Sequence, residues 1–254
     1  MLTKIKNQHI WENIFLLSLK QMNFGNGGDF KQSGEISVAN YIYNKYKNES
    51  QITIFDVGAN VGEYSKALSK VFGTKAIIYS FEPSINTYKL FIEKTKNINS
   101  IIPNNLGLSD KECNQTLYTN SEGSGLASVY QRKLDHFGID MNKQEKIKLT
   151  TIDLYCSKNK IEQIHFLKLD TEGHELSALN GAKNMIENGK IDMIQFEFGG
   201  CNIDSRTFFQ DFYYTLKDKY KIYRILKDGI YELQSYKETY EIFITVNYLA
   251  IKKM

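Results

Sequence analysis

The fold of this chain is decided by the stretch Ile52-Thr53-Ile54-Phe55-Asp56-Val57-Gly58-Ala59-Asn60-Val61-Gly62. Its first half is rich in β-branched and aromatic residues, which predicts a short buried strand. The residues from Glu63 to Phe72 repeat apolar side chains at helical spacing. Glycines between a strand and a helix let the backbone turn tightly and leave the first N–H groups of the helix open to a ligand. The stretch therefore predicts a ligand-binding loop at the carboxyl end of a strand.

Strands and helices continue to alternate along the chain, which is typical of a doubly wound parallel sheet. We predict an α/β fold with a seven-stranded, mostly parallel sheet and an N-terminal helical extension. After the first strand, the predicted strands are 77–81, 100–102, 164–169, 191–198, 222–226 and 241–251, and the predicted helices are 63–72, 86–96, 175–187 and 208–219. The last two strands are expected to be antiparallel, because no helix-length connection separates them. Two further strands are expected at 115–118 and 146–150, around a Ser- and Gly-rich loop.

The first fifty residues are expected to form a helical cap, with residues 51–254 forming a Rossmann-like domain. Ile10, Trp11, Ile14 and Phe15 recur at helical spacing, and a second helix begins at about Glu35 after a polar, Gly-rich break. The cap either packs on the main domain or offers a face for a homodimer.

Composition bounds the classes of function. The 254 residues are 42% hydrophobic and 24% charged, with a net charge of +3, so a soluble globular protein is expected and a nucleic-acid partner is not favoured. Cys113, Cys156 and Cys201 are too far apart in sequence for a metal or redox motif, which suits a reducing compartment. No apolar run approaches the roughly 20 residues of a membrane span. We therefore expect a cytoplasmic protein.

The loop does not fit the common phosphate-binding fingerprints. Gly58-x-Asn60-x-Gly62 lacks the second glycine of the dinucleotide motif, and Gly62 is followed by Glu63 rather than the lysine of a P-loop. Acidic residues on both sides favour a ligand with a cationic amine or sulfonium. Glu82 closes the next strand, where an acid accepts hydrogen bonds from ribose hydroxyls.

These segments resemble the class I S-adenosylmethionine-dependent methyltransferases, and specifically the FkbM family. The resemblance covers about residues 52–198, with Ile152 in place of the usual leucine. The blocks that carry it occur in order: Asp56–Gly62, Phe81-Glu82-Pro83, Asn105-x-Gly107-Leu108-Ser109-Asp110, Ile152-Asp153, Leu167–Glu175, Gly181-Ala182 and a later strand ending in Glu197.

The resemblance implies S-adenosyl-L-methionine as cofactor and assigns roles to residues of this chain. The methionine part would lie against Asp56, Gly58, Asn60 and Gly62, with Tyr64 beside it. Glu82 would hold the ribose, and the adenine would be bordered by Ser84, Asn105, Ser109 and Asp110.

Acidic residues at the ends of two later strands predict where the methyl acceptor binds. Asp170, Glu172 and His174 follow the strand 164–169, and Glu197 ends the next strand. A sugar hydroxyl needs a base or a metal to become a nucleophile, so these four are the candidate catalytic residues. Asp170 and Glu197 could also hold a divalent cation such as Mg²⁺. The structural alternative is that the acids complement a helix dipole.

The expected function is therefore O-methylation of a sugar hydroxyl, on a nucleotide-linked or polysaccharide sugar of surface-glycan biosynthesis, with residues 120–145 recognising the acceptor. The alternatives are a methyltransferase acting on RNA or another small molecule, a nucleotide-dependent oxidoreductase, and a non-catalytic module that binds the cofactor.

Overall fold

The computed structural model describes residues 7–28 and 30–253. Its centre is an eight-stranded sheet in the order β10-β9-β11-β8-β7-β1-β2-β3. The strands of this sheet are β1 Ile52–Val57, β2 Ala76–Phe81, β3 Ile101–Asn104, β7 Phe166–Leu169, β8 Met193–Phe198, β9 Tyr220–Leu226, β10 Gly229–Glu232 and β11 Val246–Lys252. The five strands from β8 to β3 are parallel, and β11 is antiparallel to both of its neighbours.

The predicted α/β fold and mostly parallel sheet are confirmed, and so is the antiparallel pairing of the two closing strands. The expected count of seven strands is wrong, because the turn after β9 folds back into β10 and adds an edge strand. A second, three-stranded sheet contains the two irregular strands expected between residues 114 and 150. Its members are β4 Gly107–Leu108, β5 Cys113–Thr119 and β6 Lys143–Thr150 in the order β4-β6-β5.

Helices connect the strands as the alternating pattern predicts. They are α1 Gln8–Gln21, α2 Glu35–Lys45, α3 Glu63–Phe72, α4 Ile85–Thr95, α5 Ile152–Asn159, α6 Glu175–Asn180, α7 Lys183–Glu187, α8 Cys201–Ser205 and α9 Phe209–Leu216. The helix expected over 175–187 is two helices, α6 and α7, that meet at Gly181-Ala182. Gly181 lies there because a Cβ atom would come 1.9 Å from the Ser109 carbonyl oxygen.

Burial of both sheet faces explains the run of apolar residues in the central strands. Every residue of β7 and β8 is buried, as expected for parallel strands covered by helices on both sides. Phe196 of β8 stacks on Phe212 of α9 at 4.8 Å, and Phe209 contacts Tyr248 of β11 at 4.4 Å between ring centroids. This packing fixes the carboxyl ends of the strands, where the chain reverses its order between β1 and β7.

The two N-terminal helices differ in how they pack. Helix α2 buries Val38, Ala39 and Ile42 against the sheet domain, as expected of a cap. The apolar residues of α1 from Ile10 to Phe15 are exposed, with Trp11 at 65%, whereas Leu19 near the end of the helix is buried in the core. The division into residues 1–50 and 51–254 stays a prediction. Within the described residues, no helix is long and apolar enough to cross a membrane.

Gly34 allows the N-terminal segment to approach the sheet. Its φ is +93°, and a Cβ atom would lie 2.1 Å from the Leu226 carbonyl oxygen. We expect Gly34→Ala to lower the free energy of unfolding by about 3 kcal/mol, because the methyl group adds a clash to left-handed strain. Gly138→Ala is the control, since Gly138 has φ +67° and no atom near its Cβ position. That variant should lose only about 1 kcal/mol in urea unfolding; equal losses in the two would contradict the account.

Candidate active site

A cavity of about 410 Å³ opens at the carboxyl ends of β1, β2, β7 and β8. This is the size of an ordinary ligand site, and its position is the switch point of a doubly wound sheet. Eight of the residues predicted for the site line it, namely Gly58, Asn60, Tyr64, Glu82, Asp170, Glu172, His174 and Glu197.

The loop after β1 forms one wall of the cavity. Gly58 has φ +84°, and a Cβ atom there would lie 1.7 Å from the Asp170 carbonyl oxygen, so only glycine lets the two strand ends approach. The N–H groups of Gly58 and Ala59 donate to the Phe81 carbonyl at 3.1 and 2.9 Å, which ties the loop to the end of β2. Asn60 also adopts a left-handed conformation.

Glu82 lies beside this loop and is nearly buried. Its carboxylate accepts backbone N–H groups from Asn60 at 3.0 Å and from Ser84 at 2.9 Å. Burial raises the pKa of Glu82 to about 7, against the effect of these two hydrogen bonds. The carboxylate is therefore held at the cavity wall, where its remaining lone pairs can accept hydroxyl donors.

Asp56 does not line the cavity, although the resemblance places it against the methionine part of the cofactor. It is fully buried below the loop, where it accepts a hydrogen bond from the Ser65 hydroxyl at 2.5 Å. Ser65 in turn lies 2.8 Å from the Ser80 hydroxyl of β2. Gly62 is also outside the lining, because it packs against Phe91 and carries α3. Both residues support the loop from beneath.

The four residues predicted to border the adenine are not among the lining residues. Ser84 caps α4 and donates to the Glu145 carboxylate at 2.7 Å. The Asn105 amide donates to the carbonyls of Glu82 and Pro83. The wall near Ser109 and Asp110 is apolar instead, made by Leu108, Leu117, Ile147 and Leu149 of the second sheet.

Lys168 is a lining residue that the sequence reasoning missed. Its ammonium donates to Asp170 at 2.8 Å and lies 4.5 Å above the Tyr64 ring. Burial alone would lower the pKa of this amine, but Asp170, Asp56 and Glu35 raise it well above its usual range. The apolar run of β7, interrupted by Lys168, was the available signal, because a lysine inside a fully buried strand requires a carboxylate partner.

Glu172 follows the strand in a left-handed conformation, with φ +53°. Its carboxylate is paired with the guanidinium of Arg132, whose Nε atom lies 3.7 Å from Asp204. The Ser128 hydroxyl donates to the Glu172 carbonyl at 2.7 Å. Burial raises the pKa of Glu172 despite the guanidinium. The loop after β5 is thereby anchored to the end of β7.

His174 is held by hydrogen bonds at both ring nitrogens. Nδ1 is 3.1 Å from the Tyr130 hydroxyl, and Nε2 is 2.9 Å from the Ser109 hydroxyl. Burial lowers the pKa of His174 to about 4. The imidazole is therefore neutral near pH 7 and has no free nitrogen with which to take a proton.

Glu197 differs from the other carboxylates, because no described residue donates a hydrogen bond to its side chain. It is more than nine-tenths buried, and burial with the neighbouring acids Asp170 and Glu172 raises its pKa well above the usual range. Among the described residues it forms a possible metal-ligand group with Glu172 and Cys201. Asp170 is not in that group, and the Mg²⁺ site at Asp170 and Glu197 stays a prediction.

The N-terminal segment contributes to the cavity, which the sequence reasoning also missed. Gly27, Gly28, Phe30 and Glu35 line it. Glu35 accepts hydrogen bonds from the Gln195 amide at 2.6 Å and the Ser33 hydroxyl at 2.7 Å. No local pattern marks these residues, because their contact with the site depends on how residues 23–28 and 30–35 lie across the sheet.

The pKa of His174 makes folding stability depend on pH. In the unfolded chain an imidazole takes a proton below about pH 6.5, whereas the folded protein binds it only near pH 4. Stability from this group is therefore lost as the pH falls through that window. His174→Gln should remove up to about 3 kcal/mol of that loss, measured as the difference from wild type in urea unfolding at pH 4 to 7. His136→Gln, at an exposed site, is the control, and parallel profiles for all three proteins would contradict the assignment.

Comparison with known proteins identifies the family. The sequence profile described as Methyltransferase FkbM domain matches residues 56–224, more than half of the chain. The hexuronic acid methyltransferase AglP of Haloferax volcanii is 26% identical over 152 residues, which are 59% of this chain and 58% of AglP. This chain thus matches little more than half the length of that curated relative.

Two solved structures are similar to the chain at lower sequence identity. The methyltransferase FkbM of Methylobacillus flagellatus is 19% identical, over 79% of this chain and 44% of the other, with a TM-score of 0.47. An O-methyltransferase of Bacillus cereus in complex with SAH is 10% identical, over 85% and 81% of the two chains, with a TM-score of 0.42. On the strength of the profile match, the chain belongs to the FkbM methyltransferase domain family.

Proposed function

We propose that this protein transfers a methyl group from S-adenosylmethionine to a hydroxyl of a sugar. The observation that carries the proposal is a single cavity that joins two features. One is the glycine loop with Glu82, and the other is the carboxylate of Glu197, to which no described residue donates a hydrogen bond. Family membership supports methyl transfer, and the sugar acceptor is supported by the relative AglP, which is named for a hexuronic acid.

The residues of the cavity fit the cofactor. Gly58 lets the loop pass close to the end of β7, and Glu82 presents acceptors to a pair of ribose hydroxyls. Two buried polar atoms of lining residues, the Asn60 amide oxygen and the Tyr64 hydroxyl, have no hydrogen-bond partner within the described part of the chain. Six carboxylic acids but one amine line the described part of the cavity, which favours a cationic ligand: Glu35, Glu63, Glu82, Asp170, Glu172 and Glu197 against Lys168. S-adenosylmethionine, when bound, supplies an electrophilic methyl group on a sulfonium.

Glu197 is the proposed general base. A sugar hydroxyl is a poor nucleophile until a base within hydrogen-bond reach accepts its proton. The Glu197 carboxylate has no competing donor among the described residues, and its raised pKa increases its affinity for the proton. A Cβ atom at Gly27 would lie 3.3 Å from Glu197 Oε2, so glycine keeps the approach to this oxygen open.

The other predicted catalytic residues have positioning roles in this proposal. Asp170 is paired with Lys168, and Glu172 is paired with Arg132. His174 is neutral and bonded at both nitrogens. These contacts hold the end of β7 rigid, and positioning of this kind contributes several kcal/mol to a displacement that must be in line.

The proposal uses no step at a metal ion. The possible ligand group of Glu172, Glu197 and Cys201 contains one carboxylate that already has a cationic partner in Arg132. Chelation of divalent ions is therefore expected to leave methyl transfer unchanged. The nucleotide-linked or polysaccharide form of the sugar, the cytoplasmic location and the homodimer stay predictions.

Binding of the cofactor product tests the first half of the site. We expect S-adenosylhomocysteine to bind the wild type with a micromolar dissociation constant, measured by calorimetry. Gly58→Ala should abolish binding, because its methyl group would push the loop away from Asp170. Glu82→Gln should weaken binding at least about tenfold, since the amide cannot accept both ribose hydroxyls.

Two controls make the binding result specific. Gly138→Ala changes another glycine with a positive φ at an open position and should bind normally. Circular dichroism of each variant establishes that it is folded. A folded Glu82→Gln protein that binds as tightly as the wild type would overturn the ribose assignment, and a wild type that does not bind would overturn the proposed function.

Removal of the proposed base tests the part of the site that binds the methyl acceptor. Glu197→Gln should lower kcat by about 10²- to 10⁴-fold while binding S-adenosylhomocysteine normally, because only the proton acceptor is removed. In the wild type, kcat should rise with pH as the carboxyl loses its proton, above the range of an ordinary glutamate. Glu93→Gln removes an exposed partner of Lys96 and serves as the control. An unchanged kcat in Glu197→Gln would show that another group takes the proton.

A further inference from the structure

The charges around Glu197 bear on which sugars can be methylated. We call Asp170, Glu172, His174 and Glu197 the acceptor side of the cavity. Three of these four are carboxylic acids, and the fourth is a neutral imidazole. These four side chains therefore present no positive charge to a sugar that binds here.

Lys168 and Arg132, the described cations that contact the acceptor side, have carboxylate partners. The Lys168 ammonium donates to Asp170 at 2.8 Å and is almost completely buried. The Arg132 guanidinium is paired with Glu172, and its Nε atom is 3.7 Å from Asp204. Neither can turn to a carboxylate of a substrate without leaving Asp170 or Glu172, which are partly buried, without that partner.

The remaining polar group suits a hydroxyl donor. Glu197 is buried and accepts no hydrogen bond from a described residue, so a sugar hydroxyl can donate to it without displacing another donor. In the deprotonated form in which Glu197 takes the proton, it would repel a carboxylate of the sugar in the same place, because both groups carry negative charge. Such unfavourable contacts are how binding sites reject close analogues.

The geometry points to an acceptor sugar that carries no negative charge near the methylated hydroxyl. This inference rests on the proposed function and deepens it by naming the class of acceptor. It separates this chain from the relative AglP, whose name specifies a hexuronic acid. A carboxylate on the sugar is expected to be selected against, although the family is shared.

Matched glycosides test the inference. The substrates are 4-nitrophenyl glycosides of the gluco, galacto and manno series, each as the ordinary hexose, the uronate and the uncharged uronamide. Formation of S-adenosylhomocysteine is measured for each at fixed pH. We expect the uronate of any accepted series to have kcat/KM at least about tenfold below that of the hexose. The uronamide should recover most of that loss, because it has the shape of the uronate without its charge.

A variant tests the role of the paired guanidinium. In Glu172→Gln, Arg132 keeps only Asp204 as a charged partner, so the ratio of uronate to hexose turnover should rise. Glu93→Gln, which removes an exposed carboxylate from an ion pair on α4, should leave the ratio unchanged. A ratio that does not respond to Glu172→Gln would contradict the electrostatic origin of the selection.

The outcomes separate this inference from the function on which it rests. Turnover of uronates at or above that of hexoses would overturn the inference and leave sugar methylation standing. Failure of every glycoside to yield S-adenosylhomocysteine, in a protein that binds it, would overturn the sugar acceptor and the inference with it. Preference for hexose and uronamide over uronate supports both.

Discussion

The site depends on the close approach of two strand ends. The backbone of Gly58, after β1, lies so near the Asp170 carbonyl that a methyl group would come 1.7 Å from the oxygen. The Asp170 N–H also donates to the Val57 carbonyl at 3.0 Å. Because β1 and β7 are neighbours at the point where strand order reverses, this contact brings the glycine loop and the acidic turn into one cavity.

The same approach concentrates carboxylic acids, and the structure must compensate for them. Lys168 is the main compensating charge, since its ammonium interacts with the carboxylates of Asp170, Asp56 and Glu35. Arg132 does the same for Glu172 at the edge of the cavity. Glu197 has no cationic partner among the residues that the structure describes, and a buried polar group without a partner is where a ligand gains most from binding. The proposed base, Glu197, therefore belongs to the same cluster of carboxylic acids that Lys168 and Arg132 partly neutralise.

Sequence reasoning located the site well where a residue type is required at a strand end. Glu82 and Glu197 close strands whose apolar pattern is clear, and both line the cavity. It was less successful where a motif residue supports the backbone. Asp56 and Asn105 belong to the resemblance, but Asp56 is bonded to Ser65 beneath the loop and Asn105 holds two carbonyls of the turn after β2. A motif alone does not distinguish contact with a ligand from support of the loop that makes it.

What the sequence by itself determined is the alternating sheet, the glycine loop and the family. These depend on local spacing: apolar runs bounded by helices, and glycines where the backbone needs a positive φ. Only the tertiary structure decided which carboxylates have partners and which residues from outside the motifs reach the cavity. Glu35 bonds to Gln195 across 160 positions of sequence, and Arg132 reaches Glu172 across 40. Such pairs form because folding buries charges that must then be neutralised, and no local pattern specifies the partner.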